Sequence, residues 1–334
     1  MPERKHVTEA MVREALNTFE TSNEAAESLG IRRESFTRLV LKFGLNRMDN
    51  WTDTTNIVER PRRTFVQLLA EHNTSAEQAP LIKINITSNQ DYNYILPVGD
   101  IHDGHVACDW AGIQYIFPWI YNTEEAYVVG MGDYCESSIM NSPGLFDQTE
   151  FVDKQFDDIV DLFAPIAEQG RLIGLLEGNH ERRIRKIAGF DITKKLCTEL
   201  KTKYLGVGAF CLFNVRHNTS RTYEQYKGYF THGESMAQYA HTKMQACIRL
   251  QQVAEAEFYC MGHVHSLLHQ KVERFVMDEN SGEVVKRPTH FILTGCYLKY
   301  LNTYAHQKNL APSGDTGSPK IKLHNMKHVI SVSL

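Results

Sequence analysis

Five short polar clusters, strung in order between residues 100 and 265, each arrive at the end of a run of apolar β-formers or beside a glycine. They are Asp100-Ile-His102, Gly132-Asp133, Gly178-Asn179-His180-Glu181, His232-Gly233 and Gly262-His263-Val264-His265. The runs before them, Tyr94–Val98, Ala126–Val129, Leu172–Leu176, Gly228–Thr231 and Phe258–Met261, are short, apolar and rich in β-branched or aromatic residues. Such runs read as buried strands. The carboxyl ends of strands in an open α/β sheet are where that architecture places its sites. A chain built this way must therefore gather the ends of strands that lie far apart in sequence.

Between the strands, helices are predicted over roughly Trp110–Tyr121, Glu150–Gln169, Asp191–Leu200 and Ser235–Glu255, with further strands at Leu81–Ile86 and Phe291–Thr294. This strand–helix rhythm assigns residues 81–334 to one α/β domain. Residues 1–47 read differently. Thr8 is placed as the N-cap of a first amphipathic helix reaching Phe19, and Ser22 as the cap of a short second helix that stops at Gly30. A third helix runs from about Arg32 to Phe43 and closes at Gly44. Small alanines in the second helix, a glycine turn, and Ile31, Phe36 and Leu39 facing inward resemble a helix-turn-helix unit, hence a small all-helical domain. Residues 48–80 read as a linker, basic at Arg60–Arg63, with a short helix from Thr64 to Glu71.

The chemistry of the clusters is that of metal ligands. Asp100, His102, Asp133, Asn179, His232, His263 and His265 supply seven side chains suited to two neighbouring divalent ions, and His180 is left over for proton transfer. Mixed imidazole, carboxylate and amide donors suit Mn, Fe, Zn or Ni better than Ca or Mg. A lone Asp-x-His is more often structural. Five clusters in this order, each after a strand, make coincidence a poor explanation. Asp100 and His102, like His263 and His265, alternate as on a strand end, which predicts that each pair shares one face of a sheet.

The set resembles the calcineurin-like metallophosphoesterase superfamily, whose pattern runs D-x-H, G-D-x-x, G-N-H-D/E, H-G and G-H-x-H. The match covers about residues 81–334, with every core ligand position filled. The resemblance implies a four-layer αββα sandwich and a dinuclear centre. One metal would take Asp100, His102, Asp133 and His265; the second would share Asp133 and take Asn179, His232 and His263. Two ions ~3.5–4 Å apart bridge a water and lower its pKa toward ~7. The bridging hydroxide then attacks phosphorus while His180 protonates the leaving oxygen. The resemblance also makes Glu136 the residue that orients His180, although the phosphoprotein phosphatase branch has an aspartate there. That branch continues with Arg-Gly and has arginine before Gly-Asn-His-Glu, where this chain has Ser137-Ser138 and Glu177. Its phosphate-gripping arginines are thus absent, and phosphoprotein phosphatase activity of that type is not expected. Arg182, Arg183 and Arg185 either replace them or form a solvated helix face, the second being favoured. Asp103 and His105 line the pocket or are structural. Tyr297, Tyr300 and Tyr304 read as packing residues rather than a base-stacking platform.

Arg32, Arg33, Arg38 and Lys42 fall in or at the start of the third helix, as a helix approaching phosphates in a major groove would need. DNA binding is the favoured reading, protein docking the next and a purely structural cap the last. A net charge of −4 excludes a uniformly basic, nucleic-acid-coating surface but not a local patch. Seven scattered cysteines with no CxxC pair read as reduced, buried thiols, and no apolar run approaches a membrane span. The expectation is a cytoplasmic, dinuclear metal-dependent phosphoesterase, manganese the leading metal and nucleic acid the leading substrate. The alternatives are a phosphatase or phosphodiesterase of small molecules or nucleotides, or a DNA-binding regulator with an inactive phosphoesterase fold.

Overall fold

The computed structural model describes residues 7–19, 21–45, 64, 81–142, 144–278, 282–301, 303–309, 312 and 316–334. The chain divides into two compact units, Met1–Ser75 and Ala76–Leu334. The short helix expected from Thr64 to Glu71 and the basic stretch Arg60–Arg63 lie outside the described residues, Thr64 excepted.

The first unit holds α1 (Glu9–Thr18), α2 (Ser22–Ser28) and α3 (Arg33–Lys42). Val12, Ala15, Leu16, Ala25, Ala26, Phe36 and Leu45 form its core, with Ile31 and Leu39 half-buried against it. Thr8 caps α1 as expected. The cap of α2 is Thr21, one residue earlier than Ser22. Its hydroxyl accepts from the Glu24 amide while the Glu24 carboxylate accepts from the Thr21 amide. Glutamate at the third helical position makes this reciprocal pair available to Thr21. Gly30 and Gly44 take positive φ, +67° and +63°, where the second and third helices end.

The second unit runs β1 (Leu81–Ser88), β2 (Tyr92–Val98), α4 (Trp110–Asn122), β3 (Ala126–Gly130), α5 (Val152–Glu168), β4 (Leu172–Leu176), α6 (Asn179–Ala188), α7 (Ile192–Glu199), β5 (Tyr204–Gly206) and β6 (Gly208–His217). It continues through β7 (Glu224–Thr231), α8 (Ala240–Arg249), β8 (Phe258–Met261), β9 (Leu267–Asp278), β10 (Glu283–Thr294), α9 (Tyr304–Gln307), β11 (Lys320–His324) and β12 (Ile330–Ser333). Two mixed six-stranded sheets result, ordered β1-β6-β7-β8-β10-β9 and β12-β11-β2-β3-β4-β5. In the second sheet β2, β3, β4 and β5 are parallel; in the first, β7, β8 and β10 are parallel.

The alternation of side chains along each strand explains how both faces are buried. In β2 and β3, Leu96, Val98, Ala126 and Val128 face a core shared with α4, α5 and α7, while Ile95 and Val129 face a second core. That second core also receives Phe230 of β7, Phe258 and Cys260 of β8 and Ile292 of β10, so it is made by side chains of both sheets. Tyr229, Tyr259, Met261, Phe291 and Leu293, the neighbours in sequence, turn the other way onto Met244 and Cys247 of α8.

Several expectations needed correction. The helix predicted over Ser235–Glu255 spans only Ala240–Arg249, followed by a 3-10 turn at Leu250–Gln252. The polar stretch before Ala240 is spent in loop. The β9–β10 hairpin extends the strand predicted at Phe291–Thr294 back to Glu283. Its outer half is largely exposed and mixes charged residues with apolar ones such as Phe275, Met277 and Val284, which hid its period. The cysteines are free thiols, buried except for half-buried Cys108. Tyr297 packs as expected, fully buried, with its hydroxyl 3.0 Å from Ser318 Oγ. No helix among the described residues is long and apolar enough to cross a membrane.

One pair of histidines assigned no role forms a unit across the hairpin, His290 buried and His269 half-buried. His269 and His290 stack at 5.2 Å, with Nε2 of the first 3.0 Å from Nδ1 of the second. Burial first, then His269, pushes His290 from 6.5 down to about 4. The folded state thus resists the proton that the unfolded chain accepts. Stability is complete above pH 6.5 and falls as pH drops toward 4, by an expected 2–3 kcal/mol in rough terms. Unfolding midpoints of wild type and His290→Leu should converge over that window; parallel curves would show that His290 does not titrate there.

Candidate metal centre

All seven predicted ligands converge beyond the carboxyl ends of five strands: β2, β3 and β4 of one sheet and β7 and β8 of the other. The reason differs from the alternation expected of a strand end. β2 stops at Val98 and β8 at Met261, so Asp100, His102, His263 and His265 lie past them. Asp100, His102, Asp133, His263 and His265 all adopt positive φ, between 47° and 67°. For non-glycine residues this backbone costs energy and persists where the surroundings over-determine it. Despite this backbone, their donor atoms gather into groups within 4.8 Å of one another. No period in the sequence announces this.

The glycines in the clusters permit the crowding. A Cβ on Gly132 would lie 2.7 Å from Gly178 Cα and 2.9 Å from His232 Nδ1, and one on Gly178 would overlap the Asp133 amide nitrogen and Oδ1. Gly178→Ala is therefore expected to destabilise the protein by about 3 kcal/mol or more. A denaturant midpoint equal to wild type would show that the strand ends can separate.

The donors form two groups. Asp100, His102 and His265 bring their ligand atoms within 4.8 Å of one another, as do Asp133, His232 and His263. In the first, His265 Nε2 lies 3.3 Å from Asp100 Oδ1 and 3.1 Å from His102 Nε2. In the second, His232 Nε2 is 3.3 Å from Asp133 Oδ2 and 2.9 Å from Asn179 Oδ1, which also meets His263 Nδ1 at 2.6 Å. Asp133 Oδ2 stands between the groups, 4.0 Å from His102 Nε2. Its other oxygen accepts the His180 amide at 2.9 Å.

Outer contacts aim these atoms inward. His232 Nδ1 donates to the Met131 carbonyl at 2.8 Å, and His102 Nδ1 to Glu136 Oε2 at 3.0 Å, leaving Nε2 of each toward the centre. Such carboxylate–histidine and carbonyl–histidine pairs set the tautomer a metal requires. Glu181 accepts the amides of Asp133, Tyr134 and Cys135 at 3.1, 2.7 and 3.0 Å and so shapes the loop that carries Asp133. It was not singled out from the sequence, although it is the fourth residue of the Gly178-Asn179-His180-Glu181 cluster.

The electrostatics favour positive charge between the groups. Burial opposes ionisation of Asp133, but His232 and His180 hold its carboxyl well below the usual range. Burial likewise opposes a charge on His232, yet Asp133 outweighs it and raises the imidazole to about 10. His102 goes the other way, down to about 4, through burial and then His180. Two imidazole nitrogens 3.1 Å apart hold at most one proton between them, whereas both lone pairs can serve one cation. The donor chemistry of each group suits a divalent transition-metal ion.

His180 sits at the edge of this group. Its Nε2 is 3.8 Å from Asp133 Oδ2, and its Nδ1 donates to the Glu136 carbonyl at 2.6 Å. The Glu136 carboxylate lies 3.4 Å from His180 Nδ1 but closer to His102, and Ser138 Oγ donates to it at 2.8 Å. The orientation expected from the carboxylate is thus supplied at shorter range by the backbone oxygen. The extra methylene of glutamate carries its oxygens on to His102. Burial opposes the Glu136 charge, but the hydrogen bond and charge of His102, together with His180 and Ser138, hold the carboxyl at about 2.

The three arginines divide. Arg182 and Arg185 pair with buried Glu177, at 3.5 and 3.0 Å, on the side of the helix. Arg183 turns inward, half-buried, with Nη2 2.9 Å from His180 Nε2. The solvated-face reading therefore fails for Arg183. Asp103 and His105 are both buried, and both line a cavity of about 420 Å³. Arg32, Arg33, Arg38 and Lys42 are exposed on or beside α3.

No family model and no curated protein matches the chain. Solved structures similar to it include vacuolar protein sorting 29 from Cryptosporidium parvum (TM-score 0.35, 11% identity, covering 73% of this chain and 98% of that one). A conserved uncharacterized protein from Streptococcus pneumoniae, described as a predicted phosphoesterase, gives a TM-score of 0.31 at 11% identity over 73% of this chain and 90% of that one. Zinc-complexed vacuolar protein sorting 29 from Entamoeba histolytica gives 0.29 at 12%, over 72% and 97%.

Proposed function

We propose that residues 81–334 are a dinuclear, metal-dependent phosphoesterase with a four-layer αββα sandwich, of the calcineurin-like type. The observation that carries this reading is the pairing of two donor groups across one carboxylate, Asp133. Asp100, His102, Asp133 and His265 would hold one metal, and Asp133, Asn179, His232 and His263 the other, manganese being the leading candidate. Bound there, the metals supply Lewis acidity for the phosphoryl group and an activated water.

The chain's own residues do the rest. Arg183 binds a non-bridging phosphoryl oxygen in place of the arginines missing at Ser137-Ser138 and Glu177. In doing so it releases His180 Nε2, to which it now donates. His180, its Nδ1–H held on the Glu136 carbonyl, delivers a proton from Nε2 to the leaving oxygen. Glu136 positions His102, and Glu181 positions the Asp133 loop.

Nucleic acid is the leading substrate class, supported by the exposed basic side chains of α3. A plasmid, a single-stranded oligonucleotide, a cyclic nucleotide and a phosphopeptide, each incubated with manganese, test it. Cleavage of the first two, lost in Asp133→Asn, is the expected result. Turnover confined to the cyclic nucleotide would make the enzyme a small-molecule phosphodiesterase, and no turnover at all would favour a regulator. If the first unit contacts DNA phosphates, Arg33→Ala with Arg38→Ala should reduce the slope of log K against log salt by about 2. An unchanged slope in a filter-binding titration would remove that role.

A further inference from the structure

Beside the main centre lies a second group of donors with a different chemistry. Carboxylate oxygens of Asp103, Glu150 and Asp158 fall within 4.8 Å of one another. Asp103 directly follows His102, and its backbone is tied to the next strand-end loop by Asp103 N–H to the Tyr134 carbonyl (2.9 Å) and Glu136 N–H to the Asp103 carbonyl (2.8 Å). Glu150 precedes α5, and Asp158 lies within it.

Acidic groups on a surface often cluster without consequence, but Asp103 is not on the surface. The residue is 1% exposed, and its Oδ2 is buried with no hydrogen-bond partner. An unsatisfied buried carboxylate oxygen is costly. The same three residues line the cavity of about 420 Å³, together with His105, Trp110 and Thr149. That volume admits an ion with several of its waters, each water's share of liquid being ~30 Å³. Lys154 pairs with Asp158 from a side chain that is 56% exposed, so an ion bound here displaces its ammonium toward solvent. His105 offers no ligand here: its Nδ1 accepts the Ala107 amide at 2.9 Å and its Nε2 faces Asp147 at 4.0 Å.

We propose that Asp103, Glu150 and Asp158 form a separate site for one hard, oxygen-seeking divalent cation, Ca²⁺ or Mg²⁺, which fastens the start of α5 to the loop carrying His102. An all-carboxylate set completed by water is the chemistry these ions select, in contrast to the imidazole-rich main centre. The loops are already stitched where the ion would bind: Thr149 donates to the Gly104 carbonyl through both its amide (2.8 Å) and its hydroxyl (3.0 Å). The site does not depend on the phosphoesterase reading.

The test is Ca²⁺ and Mg²⁺ titration of the manganese-loaded full chain by calorimetry, paired with Tb³⁺ emission sensitised through Trp110. The expected result is one ion per chain with a dissociation constant on the order of 10⁻⁴ M, and Tb³⁺ emission displaced by the tighter-binding ion. Glu150→Gln and Asp158→Asn, both away from the buried core, should each weaken binding by about tenfold or more, because ligand charge sets affinity at such sites. Trp110→Phe should lose the emission and keep the binding. Asp133→Asn should change neither, which separates this site from the main centre. No binding of either ion up to about 10 mM would overturn the proposal. So would binding that survives both carboxamide variants, or binding that Asp133→Asn abolishes.

Discussion

Replacing Asp133 with asparagine is expected to lower metal-dependent phosphodiester hydrolysis by about 10³-fold or more and to cost the protein at least one bound metal. Asp133 addresses both donor groups, with Oδ2 3.3 Å from His232 Nε2 and 4.0 Å from His102 Nε2. An amide in its place keeps the shape and removes the charge that holds His232 up to about 10. The Oδ1 bond to the His180 amide can persist, so the fold should survive. Metal content by mass spectrometry and turnover of bis-p-nitrophenyl phosphate with added manganese measure the two effects. Wild-type rates in the variant would assign the activity to a contaminant and remove the main support for the proposed function.

The second large effect is expected at His180. His180→Asn should lower kcat by about 10²–10⁴-fold while leaving metal content unchanged, because in the proposed mechanism the side chain works on a proton rather than on an ion. The loss should be greatest for substrates with a poor, alkoxide-like leaving group and should shrink for p-nitrophenyl esters, whose leaving group departs without a proton. Equal losses for both leaving groups would assign His180 to ground-state binding or structure. Arg183→Ala gives a complementary result: with the guanidinium gone from His180 Nε2, KM should rise more than kcat falls. This arginine departs from the sequence-based preference for a solvated helix face, since Arg182 and Arg185 take the outward positions against Glu177.

Much of the site was legible because each ligand cluster is local in sequence and carries its own glycine. Asn179 and His180 sit together at the start of α6 because Gly178 is the residue small enough to pass the Asp133 loop. The less legible parts involve choices between equivalent local patterns. Glu136 could be recognised as an acid at an informative position. That its carboxylate leans toward His102 while its backbone carbonyl takes His180 depends on distances of 3.0 and 2.6 Å that no spacing encodes. Glu181 looked like the end of a motif, yet it bonds three consecutive amides of another loop. Asp103 and His105 were undecided for the same reason, because their neighbours Glu150, Asp158 and Asp147 arrive from a distant segment.

From the residues alone came the chemical identity of the donors, the alternation that buries strands such as β3 and β8, and the three amphipathic helices at the start of the chain. These depend on side-chain type and short-range period, which the linear order contains. The tertiary structure alone decided which strands fall in which of the two sheets, that neighbours such as Phe258 and Tyr259 face different cores, and that five of the candidate ligands reach the centre through left-handed backbone rather than strand alternation. Those outcomes are held by contacts between residues distant in sequence, such as Asp100 with His263, 163 positions on, and Ile95 with Ile321. A left-handed aspartate or histidine is unfavourable by itself, and becomes stable only when the other strand ends are packed around it.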